Sequence, residues 1–151
     1  TSDFDREEFI YGFMSAFDFP KATITQVRQG GVRNVAKEAG HVALKNKLYF
    51  QPVVEGSDLN VLLETRLSDP SIAKNKIRFV LVTDFIRFLA WDTLSKELLD
   101  IDLDELHSNY GFFLPLVGLE KAIVSSENPA DVKAAEKMGK LFEQNGKFRI
   151  I

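Results

Sequence analysis

The run Ile77-Arg78-Phe79-Val80-Leu81-Val82-Thr83 narrows the folds open to this chain more than any other segment. Its residues are almost all apolar and are β-branched or aromatic, so it has no face to give to water. That predicts a strand covered on both sides, which requires packed layers above and below a sheet. Ile86 to Trp91 follows across a tight turn near Asp84-Phe85 and is expected to lie antiparallel to it, the pair forming the centre of the sheet.

The flanking patterns supply those layers. Asp5 and Glu8 make a capping-box-like start, after which Phe9, Phe13 and Phe17 recur every fourth residue, an amphipathic helix. Pro20 opens a shorter helix through Ile24 and Val27 that Gly30-Gly31 ends. Val42, Leu44, Leu48 and Phe50 share one parity and Ala43, Lys45, Lys47 and Tyr49 the other, which predicts a hairpin pivoting at Asn46. Behind Ser57-Asp58, the residues Leu59, Leu62, Leu63 and Leu67 return to helical spacing, up to a turn at Ser68-Asp69-Pro70. Further on, Leu99, Ile101 and Leu103 alternate with Asp100, Asp102 and Asp104 as a short strand or the lead-in to a helical turn. Phe112 to Ala122 is apolar, and Asn128-Pro129 caps a last helix carrying Val132, Ala135, Met138 and Phe142. The order predicts a small α/β domain with a mixed sheet flanked by helices and a helical C-terminal extension.

Composition removes whole classes of chemistry. There is no Cys, which excludes disulfide frameworks, thiolate metal sites and Cys nucleophiles, and two His cannot build a histidine-rich metal centre. A net charge of −3 argues against binding nucleic acid by bulk charge. No stretch reaches the roughly 20 apolar residues of a membrane span, so no membrane partner and a cytoplasmic location are expected. The opening Thr1-Ser2, without Met, reads as a piece of a longer polypeptide.

The familiar site motifs are missing as well. Gly30-Gly31 fits neither phosphate-binding glycine pattern, and no GxSxG elbow exists. Asp100, Asp102, Asp104 and Glu105 read as a solvated face, since apolar residues interleave with them. His107, in the same acidic turn, reads as a helix-end hydrogen-bonding group. The basic residues are better organised: Arg28, Arg33 and Lys37 precede the hairpin, and Lys45 and Lys47 lie on it. Such a cluster can follow a phosphate backbone by displacing condensed counterions, whereas the plainer reading is a lysine-guarded sheet edge.

The segments Asn75 to Phe85, Leu89 to Thr93, Leu99 to Ile101, Asp104 to His107 and Phe112 to Ala122 together resemble the N-terminal region of type IIG-like bacterial restriction-modification enzymes. These proteins join a nuclease-like domain to an N6-adenine DNA methyltransferase, and Glu127 to Met138 looks like the connector between the two. The resemblance implies a PD-(D/E)XK nuclease-like core over residues 1–110 and a helical connector over 111–151, leading to a methyltransferase domain beyond this chain. The implied partners are double-stranded DNA and that downstream domain.

In such a core an acid early in the hairpin and a Glu-x-Lys on its second strand hold Mg²⁺ and activate water. Counting back from Gly56-Ser57-Asp58-Leu59 puts the Glu-x-Lys slot on Gln51-Pro52-Val53, and the first acid falls near His41. The cleavage site therefore reads as degenerate, with no metal ligands assigned. The expected function is a DNA-engaging domain whose basic residues are Arg28, Arg33, Lys37, Lys45 and Lys47. The first alternative is an active endonuclease that uses Mg²⁺ through migrated groups, with Glu38, Glu55, Asp58 and Lys45 as candidates. The second is an interaction scaffold that docks a partner through Phe112 to Leu119. No cofactor is expected in this chain. S-adenosylmethionine would belong to the downstream domain, since no Asn-Pro-Pro-Tyr-like tetrapeptide or glycine-rich turn for it occurs here.

Overall fold

The computed structural model describes residues 5–118 of the chain. The described residues divide into two compact units: 26–103 form one, and 5–25 with 104–118 belong to the other.

The first of these holds a five-stranded mixed sheet with strands in sequence order: β1 (Val42–Leu44), β2 (Leu48–Pro52), β3 (Phe79–Thr83), β4 (Arg87–Asp92) and β5 (Glu97–Asp102). All neighbours are antiparallel except β2 and β3, which run parallel. That parallel pair needs a crossover, supplied by the helices α3 (Leu59–Leu67) and α4 (Pro70–Lys74). As the sequence predicts, β3 is the central strand and all five of its residues are buried. On one face Ala43, Tyr49, Val80, Val82 and Leu89 pack with Leu59 and Leu63 of α3 and with Ile72 of α4. Val42, Leu44, Leu48, Phe50, Phe79, Leu81, Phe88 and Ala90 have the opposite parity and are buried too.

Local chemistry explains where these elements begin and turn. Asp58 caps α3 by accepting from the Val61 N–H at 3.2 Å, and Asp69 caps α4 by accepting from Ser71 at 2.9 Å. The sequence reading made Ser68-Asp69-Pro70 a turn only; it is also a helix start, with Pro70 in the first turn where its missing N–H costs nothing. Asn46 takes a φ of 70° in the turn between β1 and β2. Lys45 and Lys47 lie in that turn and not on the strands, so the expected parity with Tyr49 stops short of them.

In the other unit, α1 (Phe9–Ala16) buries Phe9, Phe13 and Met14. The expected capping at Asp5 falls one turn early: Asp5 accepts from the Glu7 and Glu8 N–H groups at 3.0 and 3.3 Å, while the helix itself begins after Glu8. Helix α2 (Lys21–Arg28) follows and spans the boundary between the units. Beyond β5 the chain enters a 3-10 segment, Leu103–Val117, broken at Asn109, and Phe113 stands edge-on to Phe13 with ring centroids 5.1 Å apart. The last helix expected after Asn128 lies outside the described residues.

Candidate functional site

Helix α3 turns Leu59 and Leu63 onto the sheet, and three residues further along the same stripe the sequence places Arg66. A cation is thereby carried to the core-facing side of a helix, where only 12% of its side chain is exposed. Burial of a charge on this scale demands partners, and Arg66 has four. Its Nε donates to Gln51 Oε1 on β2 at 2.8 Å, one terminal nitrogen donates to Asp69 at 3.1 Å, and the other donates to Glu38 at 2.5 Å. The guanidinium also lies over the Tyr49 ring, 4.5 Å from its centroid.

Glu38 comes from the irregular stretch before β1, and Asn34 fixes that stretch. The Asn34 carboxamide oxygen accepts from Ala36 at 3.1 Å and from Ala43 at 2.9 Å, while its nitrogen donates to the His41 carbonyl at 3.2 Å. Val35 then donates to the Ala43 carbonyl at 2.9 Å, so the segment lies against β1. His41 Nδ1 is 2.7 Å from the Tyr49 hydroxyl and 3.9 Å from Glu38. Of these groups Glu38, Tyr49, Arg66 and Asp69 line an open cleft of about 280 Å³, with Lys37 and Lys74 also on its wall; Gln51 and His41 are hydrogen-bonded to Arg66 and Tyr49.

The electrostatics follow from that geometry. The Arg66 hydrogen bond and charge hold the Glu38 carboxyl below its ordinary pKa. Asp69 is lowered chiefly by the Ser71 backbone N–H, with Arg66 adding to it. Burial pushes His41 down and Tyr49 up, which keeps both neutral at neutral pH. The network around the cleft thus sets one guanidinium among two carboxylates and one amide oxygen, over the ring of a Tyr paired with a neutral His.

The residues expected to bear chemistry are scattered around this cleft. Of the four candidate catalytic groups only Glu38 enters it. Asp58 is spent as the α3 cap, eight residues or about 12 Å of helix from Arg66. Glu55 is exposed in the turn before α3, and Lys45 is four residues beyond His41, about 13 Å of strand away. Among the described residues no three His, Asp or Glu side chains gather to hold a metal ion. Of the basic set, Arg28, Arg33, Lys37 and Lys45 are exposed, Lys37 lines the cleft, and Lys47 is half-buried, its carbonyl accepting from Arg78 and Phe79. Within the segment Phe112 to Leu119 offered as a docking surface, Phe113 and Leu114 are fully buried and Leu116 nearly so, Phe112 is half-buried, and Leu119 lies outside the described residues.

Sequence reasoning missed Arg66, Asp69 and the pairing of His41 with Tyr49. The signal for Arg66 was present: a charged residue three positions after Leu63 interrupts the apolar stripe of α3, where burial requires a partner across the sheet.

A sheet with a hairpin on one edge, a helical crossover into a parallel strand, and a polar cleft between hairpin and crossover defines a mixed α/β domain. Residues 1–144 match the family described as MmeI, N-terminal domain, and the chain belongs to that family. DNA methyltransferase A of Bacillus subtilis (strain 168) is 37% identical over 139 residues, covering 92% of this chain and 16% of that protein. The resemblance to the N-terminal region of type IIG-like restriction-modification enzymes therefore holds. The chain spans about a sixth of the relative it matches, and no solved structure matches it. Among the described residues no helix is long and apolar enough to cross a membrane.

Proposed function

We propose that this chain is the DNA-engaging, nuclease-like domain at the N-terminal side of a cytoplasmic restriction-modification DNA methyltransferase, with its cleavage site decayed. Residues 111–151 are read as the connector to the methyltransferase domain. Family membership supports the placement, as does the order of hairpin, helical crossover and parallel strand, which suits a PD-(D/E)XK-like core.

The observation that carries the decayed site is Gln51. It stands on β2 where the resemblance calls for a metal-binding Glu, and its oxygen accepts from Arg66. Pro52 and the apolar Val53 follow it, so the Lys of Glu-x-Lys has no counterpart, and His41 in place of the first acid is tied to Tyr49. Mg²⁺ needs several hard oxygen ligands in near-octahedral geometry. These residues do not fit it. What remains is an exposed set of cations, Arg28, Arg33, Lys37 and Lys45, suited to a phosphate backbone.

The test uses the full-length protein. Duplex DNA binding is expected to weaken steeply as salt rises, and supercoiled plasmid with Mg²⁺ or Mn²⁺ is expected to stay intact. Nicking that Lys45→Ala abolishes would replace this reading with an active endonuclease. Absence of salt-sensitive DNA binding at low ionic strength, in the protein and in this chain, would overturn DNA engagement.

A further inference from the structure

Three oxygens from three separate elements converge on one cation in the cleft: Gln51 Oε1 from β2, Asp69 Oδ2 from the start of α4 and Glu38 Oε2 from the segment beside β1. Hard oxygens brought together from a strand, a helix cap and a loop are the kind of donor set that binds a divalent metal ion. Here the cation is covalently part of the chain. We propose that the Arg66 guanidinium is a resident cation standing in for the divalent metal of a nuclease-like cleft, so that the chain balances the charge of the cleft itself and takes no metal there.

Three observations favour this over an ordinary ion pair. Surface pairs join two mobile side chains and contribute little; here Glu38 and Asp69 reach water, but Arg66 is nearly buried and all three of its nitrogens are used. The two carboxylates carry two negative charges, the guanidinium returns one, and Lys37 and Lys74 on the same wall add positive charge. Gln51, the isostere of Glu, supplies the third oxygen without a third negative charge, which suits a monovalent occupant. Arg66 also suits the post because its planar, permanently charged fork holds its donors in a fixed geometry, whereas a Lys ammonium is a compact point charge on a flexible stem. The inference takes its slot position from the nuclease-like reading. Its test uses metal and no DNA, so its failure is distinguishable from the failure of DNA engagement.

Manganese is the probe, followed by the Mn²⁺ electron paramagnetic resonance signal and by thermal melting of this chain and its variants. In Arg66→Gln, which keeps a polar side chain and removes the charge, one Mn²⁺ more than in the unmodified chain is expected to bind. At a hundredfold excess over Kd it should raise the melting temperature by roughly 5 °C or more. Adding Glu38→Gln should abolish that extra ion. Arg66→Lys, which keeps a cation in the cleft, should bind no more Mn²⁺ than the unmodified chain. If Arg66→Gln fails to fold without metal, folding on addition of Mn²⁺ supports the proposal and failure to fold with it counts against. The proposal is overturned if folded Arg66→Gln gains no ion, if the gained ion survives Glu38→Gln, or if Arg66→Lys gains the same ion.

Discussion

Arg78 and Asp92 form a two-pronged ion pair at the end of the β3–β4 ladder: the Arg78 Nε and one terminal nitrogen donate to the two carboxylate oxygens of Asp92 at 2.7 and 2.9 Å. Asp92 has no exposed side-chain surface, while Arg78 is about a quarter exposed. The same carboxylate accepts from the Leu94 and Ser95 N–H groups at 2.8 and 3.1 Å, which shapes the turn into β5. One buried anion thus ties the entry of β3, the end of β4 and the following turn together. Arg78→Ala leaves that anion without its counter-charge. We expect a loss of about 2–4 kcal/mol, somewhat under the ~3–5 typical of a fully buried pair because Arg78 reaches water. Urea unfolding followed by circular dichroism measures it, and a loss below about 1 kcal/mol would show that Arg78 is not what holds Asp92.

The turn between β3 and β4 depends on Asp84 in a similar way. Phe85 sits at a φ of 71°, where a bulky side chain is strained. The turn is held because Asp84 Oδ1 accepts from Ile86 at 3.0 Å and Arg87 at 2.9 Å, and Thr83 Oγ1 accepts from Phe85 at 2.9 Å. Burial alone would raise the pKa of Asp84, but the backbone N–H donors of Arg87, Ile86 and Gly56 outweigh it and the value falls below the ordinary 3.8. A carboxyl depressed in the folded state contributes stability above its unfolded pKa and loses it as pH falls through the folded value. Asp84→Ala should therefore cost roughly 1–3 kcal/mol at pH 7, with the difference from the unmodified chain shrinking below pH 4. Melting curves from pH 7 to pH 3 check both the size and the trend.

His41 gives a second pH signature at milder acidity. Burial lowers its pKa below the ordinary 6.5, against the pull of Glu38. The unfolded chain therefore takes up a proton at a pH where the folded chain does not. Stability contributed by neutral His41 is complete above pH 6.5 and declines as pH falls from there through the folded pKa. The His41 imidazole resonances should titrate below 6.5 in a proton NMR experiment. Tyr49→Phe, which removes the hydroxyl 2.7 Å from Nδ1, should move that titration while leaving the sheet folded. An unchanged titration in Tyr49→Phe would mean that this contact does not set the protonation of His41.

For the proposed DNA contacts, Arg33→Ala and Lys45→Ala remove exposed charges that take no part in the Arg66 network. Each is expected to lower the slope of log affinity against log salt by about 0.9 if it meets a phosphate, with equal effect on unrelated duplexes. Fluorescence anisotropy at several salt concentrations reads the slope. Neutral results for both would move the contact surface away from the hairpin side.

Sequence periodicity sufficed for most of the described elements. The apolar run at Ile77 to Thr83 is legible because a strand covered on both faces can contain little else, and Asp58 before Leu59 is legible because a cap acts on its own next turn. What only the tertiary structure decided is the cleft. Glu38, Gln51, Arg66 and Asp69 come from a loop, a strand, a helix and a helix cap, and the parallel crossover between β2 and β3 is what lays α3 over Gln51. Residues 15 to 28 positions apart have no fixed spacing that encodes a contact. Periodicity reports which side of an element faces the core, and the packing of one element on another determines which side chains meet there.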